Sequence, residues 1–233
     1  MDTISVINLK KVYNGVTVVN IPQLQIPLGE GFGLVGNNGA GKTTFFRMIL
    51  DLIRPSEGEV LSKGKNVQMQ ESWKNYTGSY LDEGFLIDFL TPEEYFDFIG
   101  TLHGLAKGDV KEFLARFQEF FNGEIVNQRK YIRDFSKGNQ KKIGIAAALL
   151  SDPEILILDE PFANLDPSTQ IRLKNLLREI KTEKKVTMLI SSHDLNHVIE
   201  VCERIVVLNK GEVVHDIQTS ENTLQELEAY FAV

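Results

Sequence analysis

Two short segments carry residues whose types and spacing could do phosphate chemistry. Gly36-Asn37-Asn38-Gly39-Ala40-Gly41-Lys42-Thr43-Thr44 contains G-x-x-x-x-G-K-[ST] without a gap. Small residues let backbone N–H groups curl around phosphate oxygens, and a helix opening near Lys42 would add its positive end. The Lys42 ammonium can reach the β and γ phosphates, and the Thr43 hydroxyl can hold Mg²⁺. The second segment, Ile155-Leu156-Ile157-Leu158-Asp159-Glu160, is an apolar run that ends in two carboxylates. An acid at such a strand end supports a magnesium shell, and the next acid can polarise an attacking water. Asp159 is therefore assigned to the metal and Glu160 to the water. Taken singly, one segment is also a glycine-rich turn and the other a buried strand with two solvated acids. Their presence in one chain, with the glycine loop between an apolar run and a helical pattern, favours a site for a nucleoside triphosphate.

The surrounding pattern supplies elements to position these groups. Thr3 to Leu9, Val16 to Val19, Leu24 to Ile26 after a turn at Pro22, and Phe32 to Val35 read as short strands. A helix is expected over Lys42 to Ile53, stopped by Arg54-Pro55. From Phe85 to Leu150 the pattern is helical. Thr91-Pro92-Glu93-Glu94 makes a capped helix start, and Ser136 opens another helix running to Leu150. Alternation returns with a strand at Ile155 to Leu158, a helix at Pro167 to Lys181 capped by Asp166, a strand at Thr187 to Ser191 and a helix at Asp194 to Cys202. Strands at Ile205 to Asn209 and Glu212 to His215 flank a turn at Lys210-Gly211. Apolar strands alternating with helices predict an α/β fold with a mainly parallel sheet and helices on both faces. A helical block interrupts it.

Bulk properties narrow the class. The 233 residues carry a formal charge of −7, which argues against gripping nucleic acid through phosphates. Cys202, the single cysteine, excludes an internal disulfide or thiolate cluster and sits among apolar neighbours. The Met1-Asp-Thr-Ile-Ser start does not resemble a signal peptide, and no apolar run approaches the roughly 20 residues that span a bilayer. A cytoplasmic location is expected, with membrane contact only through a partner.

Four further segments, in this order along the chain, resemble the ABC ATPase family. Phe135-Ser136-Lys137-Gly138-Asn139-Gln140 is similar to the family signature Leu-Ser-Gly-Gly-Gln, Ala163-Asn164-Leu165-Asp166 to its D-loop, and Ser191-Ser192-His193-Asp194 to its switch region. Tyr13, in Lys-Val-Tyr-Asn-Gly, stands where the family stacks an aromatic ring on adenine; by residue type alone it is equally a surface aromatic. Ser136 and Asp166 are, on the same terms, ordinary helix caps. His193 and His197 stand four apart, but Asp194 occupies the place where a zinc-protease helix carries glutamate, so the switch histidine accounts better for His193.

The resemblance implies a P-loop NTPase of ABC ATPase type with an N-terminal antiparallel β subdomain. The nucleotide-binding lobe would comprise residues 1–84 and 152–233, and an inserted helical subdomain residues 85–151. It implies ATP and Mg²⁺, hydrolysis with Glu160, His193 and Lys42 as catalytic residues, and contact of Ser136, Lys137, Gly138 and Asn139 with the ATP of an opposite subunit. Asp166 would cross the dimer interface. The implied partners are a second ABC ATPase subunit, in a homodimer or heterodimer, and a polytopic membrane permease that holds the chain on the inner face of the membrane. Three positions depart from the family. Lys137 replaces the signature's first glycine, Asn139 stands where its glutamine is usual, and Asp82, followed by Glu83, falls where the Q-loop glutamine is usual. Asp82 could still ligate Mg²⁺, but an ionised carboxylate donates no hydrogen bond. Exporter subunits often carry an acid there, which implies export. A soluble ABC ATPase remodelling a protein complex, for example in iron–sulfur assembly, is the alternative. A P-loop small-molecule kinase would not need Phe135 to Gln140 or His193.

Overall fold

A computed structural model describes residues 2–231 of the chain. Strands β1 (Asp2–Tyr13) and β2 (Val16–Pro27) form a long antiparallel hairpin. Its turn residues, Asn14 and Gly15, have φ of 49° and 81°, the paired positive values that a tight two-residue hairpin loop requires. After β3 (Gly31–Val35) come helix α1 (Lys42–Ile49), β4 (Glu57–Ser62), β5 (Lys65–Asn66) and β6 (Thr77–Tyr80). Helices α2 (Pro92–Leu102), α3 (Lys107–Arg116), α4 (Gln118–Phe121) and α5 (Lys137–Leu150) form the helical block. The chain closes with β7 (Ile155–Leu158), α6 (Pro167–Lys184), β8 (Thr187–Ser192), α7 (Leu195–Ile199), β9 (Arg204–Asn209), β10 (Glu212–Gln218) and α8 (Thr223–Phe231).

Several expected boundaries move. Val16 to Val19 and Leu24 to Ile26 belong to one strand, and Pro22 does not turn the chain. The antiparallel sheet has the order β2-β1-β4-β5, so β2 is its edge, where an exposed proline without an N–H removes no ladder bond. Helix α1 ends at Ile49 instead of Ile53. Asp51 takes a left-handed φ of 49°, and the chain reverses so that Ser56 can donate to Lys10 O and β4 can pair with β1. Helix α6 runs on to Lys184, whereas α7 is shorter than Asp194 to Cys202.

The second sheet has the order β10-β9-β3-β8-β7-β6, and only β10 runs antiparallel to its neighbour. Its four-residue strand β7 is buried throughout, as a strand covered on both faces must be. One face, with Phe32, Leu34, Ile155 and Ile157, packs into a core with Phe45, Phe46 and Met48 of α1 and with the antiparallel sheet. Phe45 and Phe46 are fully buried, worth roughly 2–3 kcal/mol each. The opposite face, with Leu156, Leu158, Met188 and Ile190, shares a core with α5, α6, α7 and the helical block. Phe96, Phe117, Phe120 and Phe121 lie at the centre of that block, with Phe113 and Phe117 stacked at 4.3 Å between ring centroids.

The parallel register decides where the chemistry goes. Val35 pairs with Ser192, Leu158 with Ile190 and Tyr80 with Leu158, so the loops leaving β3, β8, β7 and β6 emerge on one edge. Ligands of open α/β sheets bind at such a carboxyl edge.

Cys202 is buried, and desolvation pushes its thiol up to about 12, the behaviour of an inert core residue. Glu200, just past α7, accepts from the buried Lys174 of α6 at 2.6 Å and from Arg178 at 2.8 Å. The Lys174 hydrogen bond, supported by Arg178 against partial burial, holds the Glu200 carboxyl below its ordinary value. Its stabilisation is therefore present above the unfolded carboxyl pKa, about 4.3, and lost as pH falls through the lower folded value. Glu200→Gln should lower the melting midpoint at pH 7, and the gap to wild type should close as the pH drops below about 4. A gap that stays constant across a melting series at these pH values would remove the ion pair as its cause.

Candidate active site

Glycines shape the phosphate loop at the end of β3. A Cβ on Gly36 would lie 2.3 Å from Leu208 O, and Gly41, with φ of 107°, passes so near β2 that a Cβ would meet Val18 O at 2.7 Å. Neither contact leaves room for a side chain. The chain then enters α1 at Lys42, where no side chain caps the first-turn N–H groups of the helix. A cavity lies over this turn, lined by Val18, Asn38, Gly39, Ala40, Gly41, Lys42, Thr43, Thr44 and Glu160. Asn37 faces a neighbouring depression with Asn209 and Tyr230.

Lys42 is 6% exposed. Its Nζ donates to Gly36 O at 2.7 Å and stands 3.3 Å from Glu160 Oε1. The Thr43 hydroxyl donates to Asp159 Oδ2, and the Ser191 hydroxyl donates to Asp159 Oδ1. Burial, with the neighbouring Glu160 charge, pushes the Asp159 carboxyl up, against the opposing pull of both hydroxyls and Lys42. Glu160 N–H donates to Ser191 Oγ at 3.0 Å, so one serine ties both acids to β8. The Glu160 carboxylate meets His193 Nδ1 at 2.8 Å and accepts from His193 N–H at 3.4 Å. Glu160 has a left-handed φ of 47°, uncommon for a residue with a side chain. Its Oε1 is buried and takes the Lys42 charge without accepting a hydrogen bond.

These groups fit a magnesium–triphosphate. Thr43 and Asp159 offer two hard oxygens in contact, a small protein set of the kind Mg²⁺ uses when phosphates and waters complete its shell. No group of three or more His, Cys, Asp or Glu side chains among the described residues could hold a metal alone.

The other expected residues are placed apart from this cluster. Tyr13 ends β1 beside the hairpin turn, 45% exposed, with Lys11 Nζ 4.8 Å from its ring centroid; Val18 is the hairpin residue that lines the cavity. Ser136 caps α5, accepting from Asn139 N–H at 3.3 Å, and Lys137 Nζ donates to Gln140 Oε1 at 3.3 Å. A Cβ on Gly138 would stand 3.1 Å from Asn164 O, so the α5 start packs on the 163–166 loop of its own chain. No hydrogen bond joins Ser136, Lys137, Gly138 or Asn139 to residues 36–44 among those described. Asp166 caps α6, accepting from Thr169 N–H, Thr169 Oγ1 and Ser168 Oγ, and the Ser168 bond leads in holding its carboxyl far down.

Asp82, expected at the metal, lies just past β6. Its carboxylate accepts from Gly84 N–H at 2.8 Å and pairs with Arg47 at 3.6 Å, while Glu83 accepts from Tyr80 OH at 2.9 Å. With an acid at this position, the guanidinium on α1 and the Gly84 amide both find a partner in it. Ser191 and Lys141 escaped the sequence reading as site residues. Ser191 sits in the switch tetrapeptide and could have been found there, but nothing local marks Lys141.

The ABC transporter family model matches residues 19–163. An uncharacterised ABC transporter ATP-binding protein of Synechocystis is 34% identical over 82% of this chain and 54% of its own length. The bacitracin transport ATP-binding protein BcrA of Enterococcus faecalis is 35% identical over 92% of this chain and 68% of its own. A solved ATP-binding subunit of an ABC transporter superposes with a TM-score of 0.84 at 26% identity, covering 97% of this chain and 93% of its own. The chain thus spans between about half and two thirds of the length of these curated relatives.

Proposed function

Because the chain belongs to the ABC transporter ATP-binding family, we propose that it binds ATP between two such subunits and that hydrolysis there energises a membrane permease made by another polypeptide. The observation that carries this reading is the division of labour between the adjacent acids. Asp159 turns to Thr43, and Glu160 turns to Lys42 and His193.

The loop amides and the α1 terminus hold the phosphates, and Lys42 moves from Gly36 O to the phosphate oxygens as they arrive. Thr43 and Asp159 would hold Mg²⁺, which would supply neutralisation of phosphate charge. Glu160 accepts the proton of the attacking water, and His193 holds that carboxylate at Oε2 through its ring Nδ1 and its backbone N–H. Ser136 and Gly138 make no hydrogen bond to their own phosphate loop among the described residues, and in this reading they serve the nucleotide of a second copy in a head-to-tail pair. In this reading, residues 1–84 and 152–233 bind nucleotide, and residues 85–151 form the lobe that carries the signature.

Phe85, an exposed aromatic, lines a cavity between β6, α2 and α5, and Phe89, Phe98 and Leu102 on or just before α2 are exposed as well; these apolar side chains support docking of the permease on this part of the chain. No helix among the described residues is long and apolar enough to cross a membrane, which fits peripheral attachment. Similarity to a bacitracin transport protein and the acid at position 82 support export.

The test is to express the tagged chain in its native host, fractionate the cells and identify what co-purifies. Recovery with a polytopic membrane protein is expected. Recovery only with cytosolic partners would replace the transporter role by a soluble remodelling ATPase. Tyr13→Ala should weaken ATP binding about tenfold if the ring stacks on adenine, since base–aromatic stacking contributes roughly 1–3 kcal/mol. An unchanged Kd would leave Tyr13 as a surface aromatic.

A further inference from the structure

Lys141, in the second turn of α5, is 5% exposed and forms no ion pair among the described residues. Its Nζ donates instead to two main-chain carbonyls, Glu160 O at 2.8 Å and Ala163 O at 2.9 Å. A fully buried lysine is rare because desolvating its charge is costly, so its retention points to a task for the charge. Burial pulls the Lys141 ammonium below the usual lysine range, and the negative charges of Glu83, Glu160 and Asp159 oppose that only in part.

The two carbonyls bracket the turn that follows β7. Glu160 enters this turn at φ of 47°, a conformation that an ordinary side chain adopts only when its surroundings impose it. Ser191 holds the amide side of Glu160, and Lys141 holds its carbonyl side. The same helix begins at Ser136, and its Gly138 packs on Asn164 just beyond Ala163. One ammonium therefore connects the backbone carrying the carboxylate to the helix whose start faces another copy.

We infer that Lys141 is a positioning residue for hydrolysis: it fixes the 160–163 backbone so that the Glu160 carboxylate is aimed at the water, and it makes that aim depend on the position of α5. The inference rests on the proposed ATPase reading and deepens it. Seating of the α5 start against a second copy's nucleotide would then be felt at the carboxylate of its own site through a single side chain.

The test uses the full chain carrying Lys141→Met, Lys141→Gln or Lys141→Arg. Steady-state phosphate release, the Kd of a fluorescent ATP analogue and the melting midpoint are measured for each. Lys141→Met and Lys141→Gln should lower kcat on the order of 10- to 100-fold, the effect of displacing a reacting group by about 1 Å. The nucleotide Kd should stay within about twofold, because Lys141 touches none of the phosphate-binding groups. Lys141→Arg should recover part of the rate, since its fork can donate to both carbonyls. If Lys141→Met melts too early to assay, Lys141→Gln, which keeps a donor, decides the matter. A folded Met or Gln variant with wild-type kcat would overturn the inference. So would a Kd that rises in step with the loss of rate, which is the mark of a general structural defect. Wild-type protein without ATPase activity would sink the ATPase reading itself and this inference with it, an outcome visible before any variant is made.

Discussion

Glu160→Gln is expected to lower ATP turnover by about 10²- to 10⁴-fold, the span over which a positioned general base acts, while ATP binding survives. The amide keeps the shape of the side chain and can still meet His193, but it cannot accept the water's proton. Removing the charge also relieves repulsion between Glu160 and the buried Asp159, so this variant should hold nucleotide at least as firmly as wild type. Lys42→Ala should separate cleanly from it. That change removes a cation standing 3.3 Å from Glu160 and beside Asp159, and with it the contact to the β and γ phosphates, so both binding and turnover should fall. Phosphate release and fluorescent-nucleotide titration on the two variants distinguish the roles. Full activity in both would refute the assignment of this site.

Gly78→Val should cost about 3 kcal/mol or more of stability, the upper end of overpacking effects. A Cβ at Gly78 would sit 1.9 Å from Ala148 O and 3.0 Å from Pro153 Cγ, so the obstacle is mostly helix backbone that cannot rotate aside. The contact is reciprocal. Gly144 on α5 faces the Tyr80 ring of β6, where an added Cβ would lie 2.3 Å from two ring carbons. These two glycines let α5 lie against β6, and with it the helical block against the sheet. Gly108→Ala provides the contrast: it lies on α3 with nothing within 4 Å of an added Cβ, and it should be neutral or slightly stabilising. Urea midpoints of the three proteins test the argument. A Gly78→Val midpoint equal to wild type would mean that α5 can shift away without loss.

Much of the candidate site was legible in the chain because its parts are local. The spacing Gly36 to Thr43 places glycines, lysine and hydroxyl within one turn, and the apolar run Ile155 to Leu158 predicts its own burial and leaves Asp159 and Glu160 at its end. Capping at Thr91, Ser136 and Asp166 was equally local and appears in the structure with the hydrogen bonds those residue types favour. What could not be read this way lies at contacts between distant segments. Pro22 looked like a turn because proline usually punctuates, and only the edge position of β2 in its sheet explains why the strand runs through it. The pairing of Asp82 with Arg47 on α1 was equally hidden, because nothing in its own segment indicates that partner.

The sequence by itself therefore determined the chemistry on offer: a glycine loop with lysine and hydroxyls, two adjacent acids, the histidine at 193 and the helix that Ser136 caps. Tertiary structure alone decided how these groups are shared out. Strand order sets β8 between β3 and β7, which brings Ser191 to both Asp159 and Glu160 across a separation of more than 30 residues. It likewise brings Lys141 beneath the backbone of Glu160. Local spacing can specify which residues stand together on one turn or strand, whereas contacts across the sheet depend on which strands become neighbours, and that is settled by the burial of both faces of the sheet at once.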